Sequence, residues 1–382
     1  MLKELRLENF KAQKQADIEF GGFNVLTGNN AAGKTTCLQA LVFIKQSLSR
    51  GEVVFNDYLL KLGDFKEVVH THDADLTFGI QCIFDFDGTE AIYYIRVSEH
   101  STAEQFFLNG ELAWQWDSSD IFALEPGGRI FLGQAAKGHG GGDFTNPNPE
   151  FCMSVVEYMR KVVEWFENML YLSSSRGFTK YSYPLLAGQS TPDEVAKRAG
   201  DAGLLEEWLS NLIMYRINEA RRYPKMREQL DIMRERLSRV GVDINPYVMD
   251  GPSVVIDLSE GDMWVSAVNS GYGINQMVSF VALGTLLPEG TLVCVEEPEI
   301  HLHPKTQRIV CEILAEIAAE NKQVIITSHS DHMLKTLGRV VDEKKLDVED
   351  VKVYNFVKGT DHVTRGREVD ITDEQAIEEL FQ

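Results

Sequence analysis

The sequence predicts an α/β protein in which a mainly parallel sheet is covered by helices and joined to an antiparallel meander. Three observations point there. Strand-like and helix-like patterns alternate from Val254 onward, a compact apolar run at residues 23–26 passes through a glycine turn straight into a helical pattern, and β-rich runs joined by tight-turn residues fill residues 76–116.

The elements follow in order. Leu5, Leu7, Ile18 and Phe20 alternate with polar residues, which predicts a strand-rich opening. Leu38, Leu41, Val42 and Ile44 recur at helical spacing without a proline between 33 and 48, so strand, glycine turn and helix form one unit. In the meander, runs 76–86 and 91–97 meet at Asp87-Gly88, a pair that tolerates the positive φ of a hairpin turn. Gly-His-Gly-Gly-Gly at 138–142, followed by Asn146-Pro147-Asn148-Pro149, has almost nothing to bury and reads as a mobile loop or, alternatively, a phosphate-cradling nest. Residues 150–240 read as helical, punctuated by Pro184, Pro192 and Pro224. Met226, Leu230, Met233, Leu237 and Val240 lay an apolar seam along the last of these helices, too short for a long coiled-coil arm. Helix 274–287, strand 292–295, helix 305–319 and strand 324–327 then alternate, and a strand at 351–357 precedes an acidic helix that Thr372 caps with Gln375.

With 382 residues at ~150 per domain, two to three domains and a sizeable core are within reach. Apolar residues at 44% and charged residues at 25% exclude a collagen, a disordered chain or a disulfide miniprotein. A net charge of −21 argues against broad, charge-driven coating of DNA, because phosphate backbones are repelled wherever basic residues are not gathered. Cys37, Cys82, Cys152, Cys294 and Cys311 are scattered with no CxxC pair, as free thiols of a reducing compartment would be. The charged opening Met1-Leu2-Lys3-Glu4-Leu5-Arg6 lacks a signal peptide's apolar stretch, and no apolar run approaches the ~18 residues needed to span a bilayer. The expectation is a cytoplasmic protein with no membrane partner.

Four stretches carry chemistry. Gly28-Asn29-Asn30-Ala31-Ala32-Gly33-Lys34-Thr35 matches GxxxxGK[ST] between a predicted strand and a predicted helix, and Thr36 continues it. Such loops turn backbone N–H groups toward phosphate oxygens at a helix N-terminus, whose dipole also favours anions. Lys34 is then expected on the β- and γ-phosphates and Thr35 on Mg²⁺. Second, the apolar strand Leu292-Val293-Cys294-Val295 delivers Glu296 and Glu297 at its C-terminal end, where open α/β sheets bind ligands. One carboxylate can hold Mg²⁺ through water while the other polarises an attacking water; two solvated caps are the bland alternative. Third, Val324-Ile325-Ile326-Thr327-Ser328 ends in His329, within reach of a γ-phosphate or else structural. Fourth, Asn269-Ser270-Gly271-Tyr272-Gly273-Ile274-Asn275-Gln276 leads small residues into a helix, a second anion-binding turn.

This ordered set resembles the ATP-binding-cassette ATPases of the SMC, RecF and OLD type, whose split head keeps Walker A near the N-terminus and signature, Walker B and switch histidine near the C-terminus. The long interval between Lys34 and Glu297 fits that branch, and Glu296-Glu297-Pro298-Glu299-Ile300-His301-Leu302-His303-Pro304 looks especially like the OLD-like group. The resemblance covers roughly 1–97 and 254–340. It implies a split P-loop ABC-ATPase head with an antiparallel meander and a helical insertion: residues 1–130 and 254–382 as the two parts of the head, 131–253 as the insertion. It also implies ATP and Mg²⁺ as cofactors. Glu296 takes the metal-side Walker B position, where the family usually has aspartate, and Glu297 the catalytic-base position. Ser270, Gly271 and Gly273 form a degenerate signature that touches the γ-phosphate held by a second subunit. His303 stands where many cassettes have the D-loop aspartate, and His329 matches the switch histidine. The Q-loop residue stays open among His70, His72, Asp73 and Gln81.

The implied function is an ATPase that closes as a homodimer around ATP, with Lys34, Glu297 and His329 catalytic, acting in DNA repair or phage defence. The alternative is a slow nucleotide-gated module that binds a separately encoded effector such as a nuclease. The tail after His329 is too short for the Toprim nuclease domain of full OLD enzymes, so the chain is expected to cut nothing by itself. Between 216 and 239, Arg216, Arg221, Arg222, Lys225, Arg227, Arg234, Arg236 and Arg239 outnumber Glu219, Glu228, Asp231 and Glu235, which reads as a solvated face or as a surface for DNA or an acidic partner. Arg176 is a candidate phosphate contact. The pairs His70/His72, His301/His303 and His329/His332 invite a zinc reading but bring no third ligand at a set spacing.

Overall fold

The computed structural model describes residues 1–117, 132–137, 142–185, 205–249, 251, 253–360 and 363–381. The chain divides into two compact units, Met1–Met169 with Glu349–Val369, and Leu170–Val348 with Asp370–Gln382.

The first unit is built on alternation. Strands β1 (Leu2–Phe10) and β2 (Gln13–Glu19) bury Leu5, Leu7, Phe10 and Ile18 on one face. They extend a seven-stranded antiparallel sheet in the order β2-β1-β4-β5-β6-β7-β8, with β4 Phe78–Phe86, β5 Thr89–Val97, β6 Thr102–Leu108, β7 Glu111–Asp117 and β8 Asp143–Phe144. The turn predicted at Asp87-Gly88 has φ 55° and 86°, and Asn109-Gly110 repeats it at 50° and 79°. Phe10, Phe43, Phe55, Phe65 and Phe78 stack at centroid distances of 5.4 to 6.4 Å between this sheet and the helix that follows the glycine turn. That helix, α1 (Lys34–Arg50), leaves β3 (Phe23–Gly28); β3 pairs in parallel with β16 (Val351–Lys358), which pairs antiparallel with β17 (Thr364–Glu368). The buried Lys45 of α1 donates to the carbonyls of Phe166 (2.9 Å) and Glu167 (2.8 Å), satisfying the C-terminal end of α2 (Pro149–Glu167). Of the glycine-rich loop 138–142 only Gly142 lies among the described residues; a Cβ there would meet the Trp114 ring at 2.5 Å.

The second unit holds a parallel ladder in which β14 (Leu292–Glu296) lies between β9 (Leu170–Leu172) and β15 (Gln323–Thr327). Every residue of all three strands is buried, as expected of a sheet covered on both faces. β9 falls within the stretch read as helical: three residues are too few to show a strand period, and they continue the apolar run of α2. The covering helices are α3 (Leu205–Ala220), α4 (Pro224–Ser238), α5 (Tyr272–Leu286), α6 (Pro304–Ala319), α7 (Asp331–Asp342) and α8 (Glu374–Glu379). The seam of α4 buries Leu230, Met233 and Leu237 as predicted, and Pro192 lies outside the described residues. A second small sheet carries β12 (Ser253–Glu260) between β10 (Tyr183–Pro184) and β11 (Ile244–Met249), with β13 (Met263–Ser266) also on β12. Asp373, not Thr372, caps α8: its carboxylate accepts from Gln375 (3.0 Å) and Ala376 (3.1 Å), because aspartate one residue later reaches both free N–H groups. Among the described residues no helix is long and apolar enough to cross a membrane.

Candidate functional site

In the first unit the loop Gly28–Thr36 leaves the buried strand β3 and opens α1. Gly28 has φ 131°, and a Cβ there would lie 2.2 Å from the carbonyl oxygen of Phe356, so only glycine lets β3 and β16 lie this close. Gly33 at φ 86° caps α1, with Gln13 and Thr364 packed behind it at 3.2 to 3.3 Å from where a Cβ would stand. Asn29, Asn30 and Ala31 face solvent; Ala32, Lys34 and Thr36 are buried and Thr35 is half-buried. Lys34 folds back over the loop, its Nζ donating to the carbonyls of Gly28 and Asn29 at 2.9 Å each. No acidic side chain stands in the first turn of α1, so no carboxylate of that turn opposes an anion at its N-terminus.

In the second unit β14 delivers the two carboxylates. Glu296 is buried: Oε1 accepts from the Tyr171 hydroxyl of β9 at 2.7 Å and Oε2 from the Ser174 N–H at 3.3 Å. Burial holds this carboxyl above its ordinary range, opposed by those two hydrogen bonds, and burial with the nearby carboxylate pushes the Tyr171 phenol up. Glu297 turns the chain sharply at φ 45°, a conformation costly for a side-chain-bearing residue. Its N–H donates to the Thr327 carbonyl (2.9 Å) and also reaches the Thr327 hydroxyl (3.2 Å), and its carbonyl accepts from Ile300 N–H (3.0 Å) and from Arg176 (3.0 Å). The strand pairing therefore fixes the backbone while the carboxylate stays half-exposed, with Oε1 3.8 Å from His329 Nε2.

Arg176 is a brace rather than an outward-facing phosphate contact. Its buried guanidinium donates to the carbonyls of Ser173 (2.9 Å), Glu296 and Glu297 and lies over the Phe280 ring. Burial pulls its pKa down to about 10, against the pull of Glu299, Glu296 and Glu297, so it is charged at neutral pH. The same loop is joined to α5: the Asn275 side chain accepts from Phe178 N–H (2.6 Å) and donates to the carbonyls of Phe178 and Ala267, both at 2.9 Å. Gly177, at φ 110°, leaves no room for a Cβ beside Asn275.

The turn before α5 has one closed side and one open side. A Cβ on Gly273 would sit 2.5 Å from the carbonyl oxygen of His301, whereas one on Gly271 would meet nothing within 4 Å. Ser270 donates to the Ala267 carbonyl at 2.8 Å, and the Gly271 N–H donates to the Glu260 carboxylate at 3.2 Å. An acid unremarked in the sequence thus stands where an anion would approach. His303 caps α6, its Nδ1 accepting from Lys305 N–H at 3.2 Å. His301 packs its ring against Tyr272. His70 and His72 each place Nδ1 2.8 Å from a carbonyl, of Lys11 and Lys66. Among the described residues no group of three or more His, Cys, Asp or Glu could hold a metal ion.

The basic stretch divides. Arg216 donates to the Leu286 carbonyl at 3.0 Å. Arg236, 3% exposed, binds Thr285 (2.9 Å), Glu316 (3.2 Å) and Glu320 (2.5 Å), and Arg239 binds Glu312 (2.7 Å) and Glu316 (2.5 Å). These three hold α3 and α4 to α5 and α6. Arg221, Arg222, Lys225 and Arg227 remain exposed at the α3–α4 turn, with Tyr223 among them.

The model of the AAA ATPase domain family AAA_15 matches residues 1–123 and 159–334, more than half of the chain. The OLD nuclease of Thermus scotoductus (strain ATCC 700910 / SA-01) is 25% identical over 359 residues, which cover 86% of this chain but 59% of that protein. Two solved structures share the fold: an Smc head bound to the C-winged helix domain of ScpA (TM-score 0.57, 14% identity, 99% of each chain covered), and a Pyrococcus furiosus Smc head with an extended coiled coil bound to the C-terminal domain of ScpA (TM-score 0.50, 13% identity, 99% of this chain and 98% of that one). The chain belongs to the AAA ATPase domain family AAA_15, and its fold is that of the Smc heads.

Proposed function

We propose that the chain hydrolyses ATP. The loop Gly28–Thr36 binds the phosphates, with Lys34 leaving the carbonyls of Gly28 and Asn29 for the β- and γ-phosphate oxygens. Glu297 takes a proton from water as the water oxygen bonds to the γ-phosphorus; the bond from that phosphorus to the β–γ bridging oxygen breaks, leaving ADP and phosphate. His329 steadies the charge gathering on the transferred group. Ser270, Gly271 and Gly273 receive the γ-phosphate of a nucleotide held by a second copy, the Gly271 N–H leaving the Glu260 carboxylate for it, so two chains close around two ATP molecules. The observation that carries this reading is Glu297, whose backbone is pinned on both sides at φ 45° and whose carboxylate is half-exposed beside His329.

An all-oxygen set of one hydroxyl and one carboxylate suits Mg²⁺. Glu296 spends each oxygen on one internal hydrogen bond and keeps lone pairs for a water of the ion. Thr35 and Glu296 would hold Mg²⁺, which supplies neutralisation of the β- and γ-phosphate charge. Two measurements test the reading. Lys34→Ala is expected to abolish ATP binding and turnover, and Glu297→Gln is expected to run as an ATP-stabilised dimer on a sizing column; a hydrolytically normal protein that stays monomeric with ATP overturns the sandwich.

The biological output we assign is DNA repair or phage defence. Its support is the similarity to the OLD nuclease and the exposed bases Arg221, Arg222, Lys225 and Arg227 with Tyr223. DNA that stimulates turnover in the wild type but not in Arg221/Arg222→Glu supports this output, and absence of binding at moderate salt removes it. A second reading, a slow nucleotide-gated module for a separately encoded effector, is favoured by the β12–β13 hairpin, which exposes Met263 (66%) and Trp264 (48%). It predicts turnover indifferent to DNA.

A further inference from the structure

We propose that Glu299 is a positioning residue for His329, its buried carboxylate tying the turn after β14 to the loop after β15 that carries the imidazole. The inference rests on the ATPase reading of this site and deepens it.

Glu299 is 9% exposed and lies two residues beyond Glu297. Its Oε1 accepts from the main-chain N–H of His329 at 2.6 Å and from the Ser328 hydroxyl at 2.8 Å. The next residue of the same loop is held from the same turn: Ser330 Oγ donates to Gln307 Oε1 at 2.6 Å, while Gln307 Nε2 donates to the Leu302 carbonyl at 2.9 Å. Ser330 also caps α7, accepting from Met333 N–H at 3.2 Å. Three consecutive residues around the imidazole are therefore fixed to the 299–302 turn, itself closed by Leu302 N–H on the Glu299 carbonyl at 3.1 Å. The imidazole reaches Glu297 from this loop, at 3.8 Å.

The cost of this arrangement argues against mere filling of space. Glu299 Oε2 is buried with no hydrogen-bond partner, so the acid's desolvation is offset by the two bonds to Oε1 and by the charge of Arg176, while one oxygen goes unbonded. An apolar side chain would pack there at lower cost. What the carboxylate provides is two strong bonds to the loop, one directly to the main chain on which the imidazole rides.

The test compares ATP turnover of the full chain with Glu299→Ala, Glu299→Gln, His329→Ala and the Glu299→Ala/His329→Ala pair. Glu299→Ala is expected to lower kcat on the order of 10²-fold, as a small misplacement of a reacting group does, with KM for ATP unchanged within about twofold. Glu299→Gln restores most of the rate, because its Oε1 accepts the same two bonds. In the His329→Ala background Glu299→Ala adds nothing further. In nucleotide-free protein the ¹⁵N imidazole signal of His329, assigned by its loss in His329→Ala, moves in Glu299→Ala and stays in Glu299→Gln. If Glu299→Ala does not fold, Glu299→Asp, one methylene shorter, carries the same comparison. A full rate loss on top of His329→Ala, or an unmoved imidazole signal, overturns the proposal. If the wild type turns over no ATP, the ATPase reading falls while the imidazole signal still decides whether Glu299 positions His329.

Discussion

Replacing Arg176 by glutamine isolates the brace behind Glu297. The guanidinium donates to three carbonyls, those of Ser173, Glu296 and Glu297, from a site 6% exposed. At about 1 to 1.5 kcal/mol for each such bond, the loss is roughly 3 to 4.5 kcal/mol. Part returns because a buried charge and its desolvation are removed with it. Glu297 also holds strain of about 1 to 3 kcal/mol at φ 45°, released if its carbonyl is freed to turn. The carbonyl keeps Ile300 N–H and the amide keeps Thr327, so release is incomplete. The net expectation for Arg176→Gln is a loss of about 2 kcal/mol of stability. Displacing the carboxylate by about 1 Å then lowers turnover on the order of 10²-fold. Urea unfolding followed by circular dichroism reads the first, and steady-state phosphate release the second. Arg176→Lys falls between, since an ammonium keeps the charge but loses the planar fork that spans separate carbonyls. An Arg176→Gln protein with wild-type unfolding and wild-type turnover refutes the brace.

Other outcomes follow from the same packing. In native protein a thiol reagent is expected to label Cys152 fast and the other four cysteines only on unfolding, because Cys37, Cys82, Cys294 and Cys311 are buried and burial pushes their thiols up, Cys37 to about 12, away from the reactive thiolate; rapid labelling of more than one thiol contradicts this. Gly273→Ala, which drives a Cβ toward the His301 carbonyl, is expected to destabilise by about 1 to 3 kcal/mol. Gly271→Ala leaves stability within about 0.5 kcal/mol, and equal effects at the two glycines in thermal unfolding would remove the distinction. Arg236→Ala removes a buried guanidinium bonded to Thr285, Glu316 and Glu320 while Arg239 and Lys322 still pair with the two carboxylates, and is expected to lower stability by about 1 to 2 kcal/mol. Arg221→Glu with Arg222→Glu is expected to leave the melting temperature near wild type.

What the sequence discloses depends on how local the determining interaction is. The strands at 292–296 and 323–327 were legible because both faces are buried and the run is apolar without interruption. The glycine loop was legible because its motif is fixed by backbone conformation at Gly28 and Gly33. Arg176 enters the sequence reading only as a candidate phosphate contact, because two of its three carbonyl partners lie 120 and 121 residues away and no local pattern discloses a carbonyl clamp. Tyr171 on Glu296, and Glu299 under His329, were silent for the same reason: each pairing is set by the register of parallel strands, which sequence spacing leaves undetermined. The basic residues of 216–239, expected on one helix, fall on α3, α4 and the turn between them, and the sequence does not separate arginines spent on Glu312, Glu316 and Glu320 from those left at the turn.

The central claim is that Glu297 acts on water during ATP hydrolysis. The most direct measurement pairs the dissociation constant for Mg-ATP with the turnover rate in wild type and Glu297→Gln. Near-equal affinity is expected, with turnover lowered on the order of 10²-fold or more. A Glu297→Gln protein that binds Mg-ATP and hydrolyses it at the wild-type rate would contradict it.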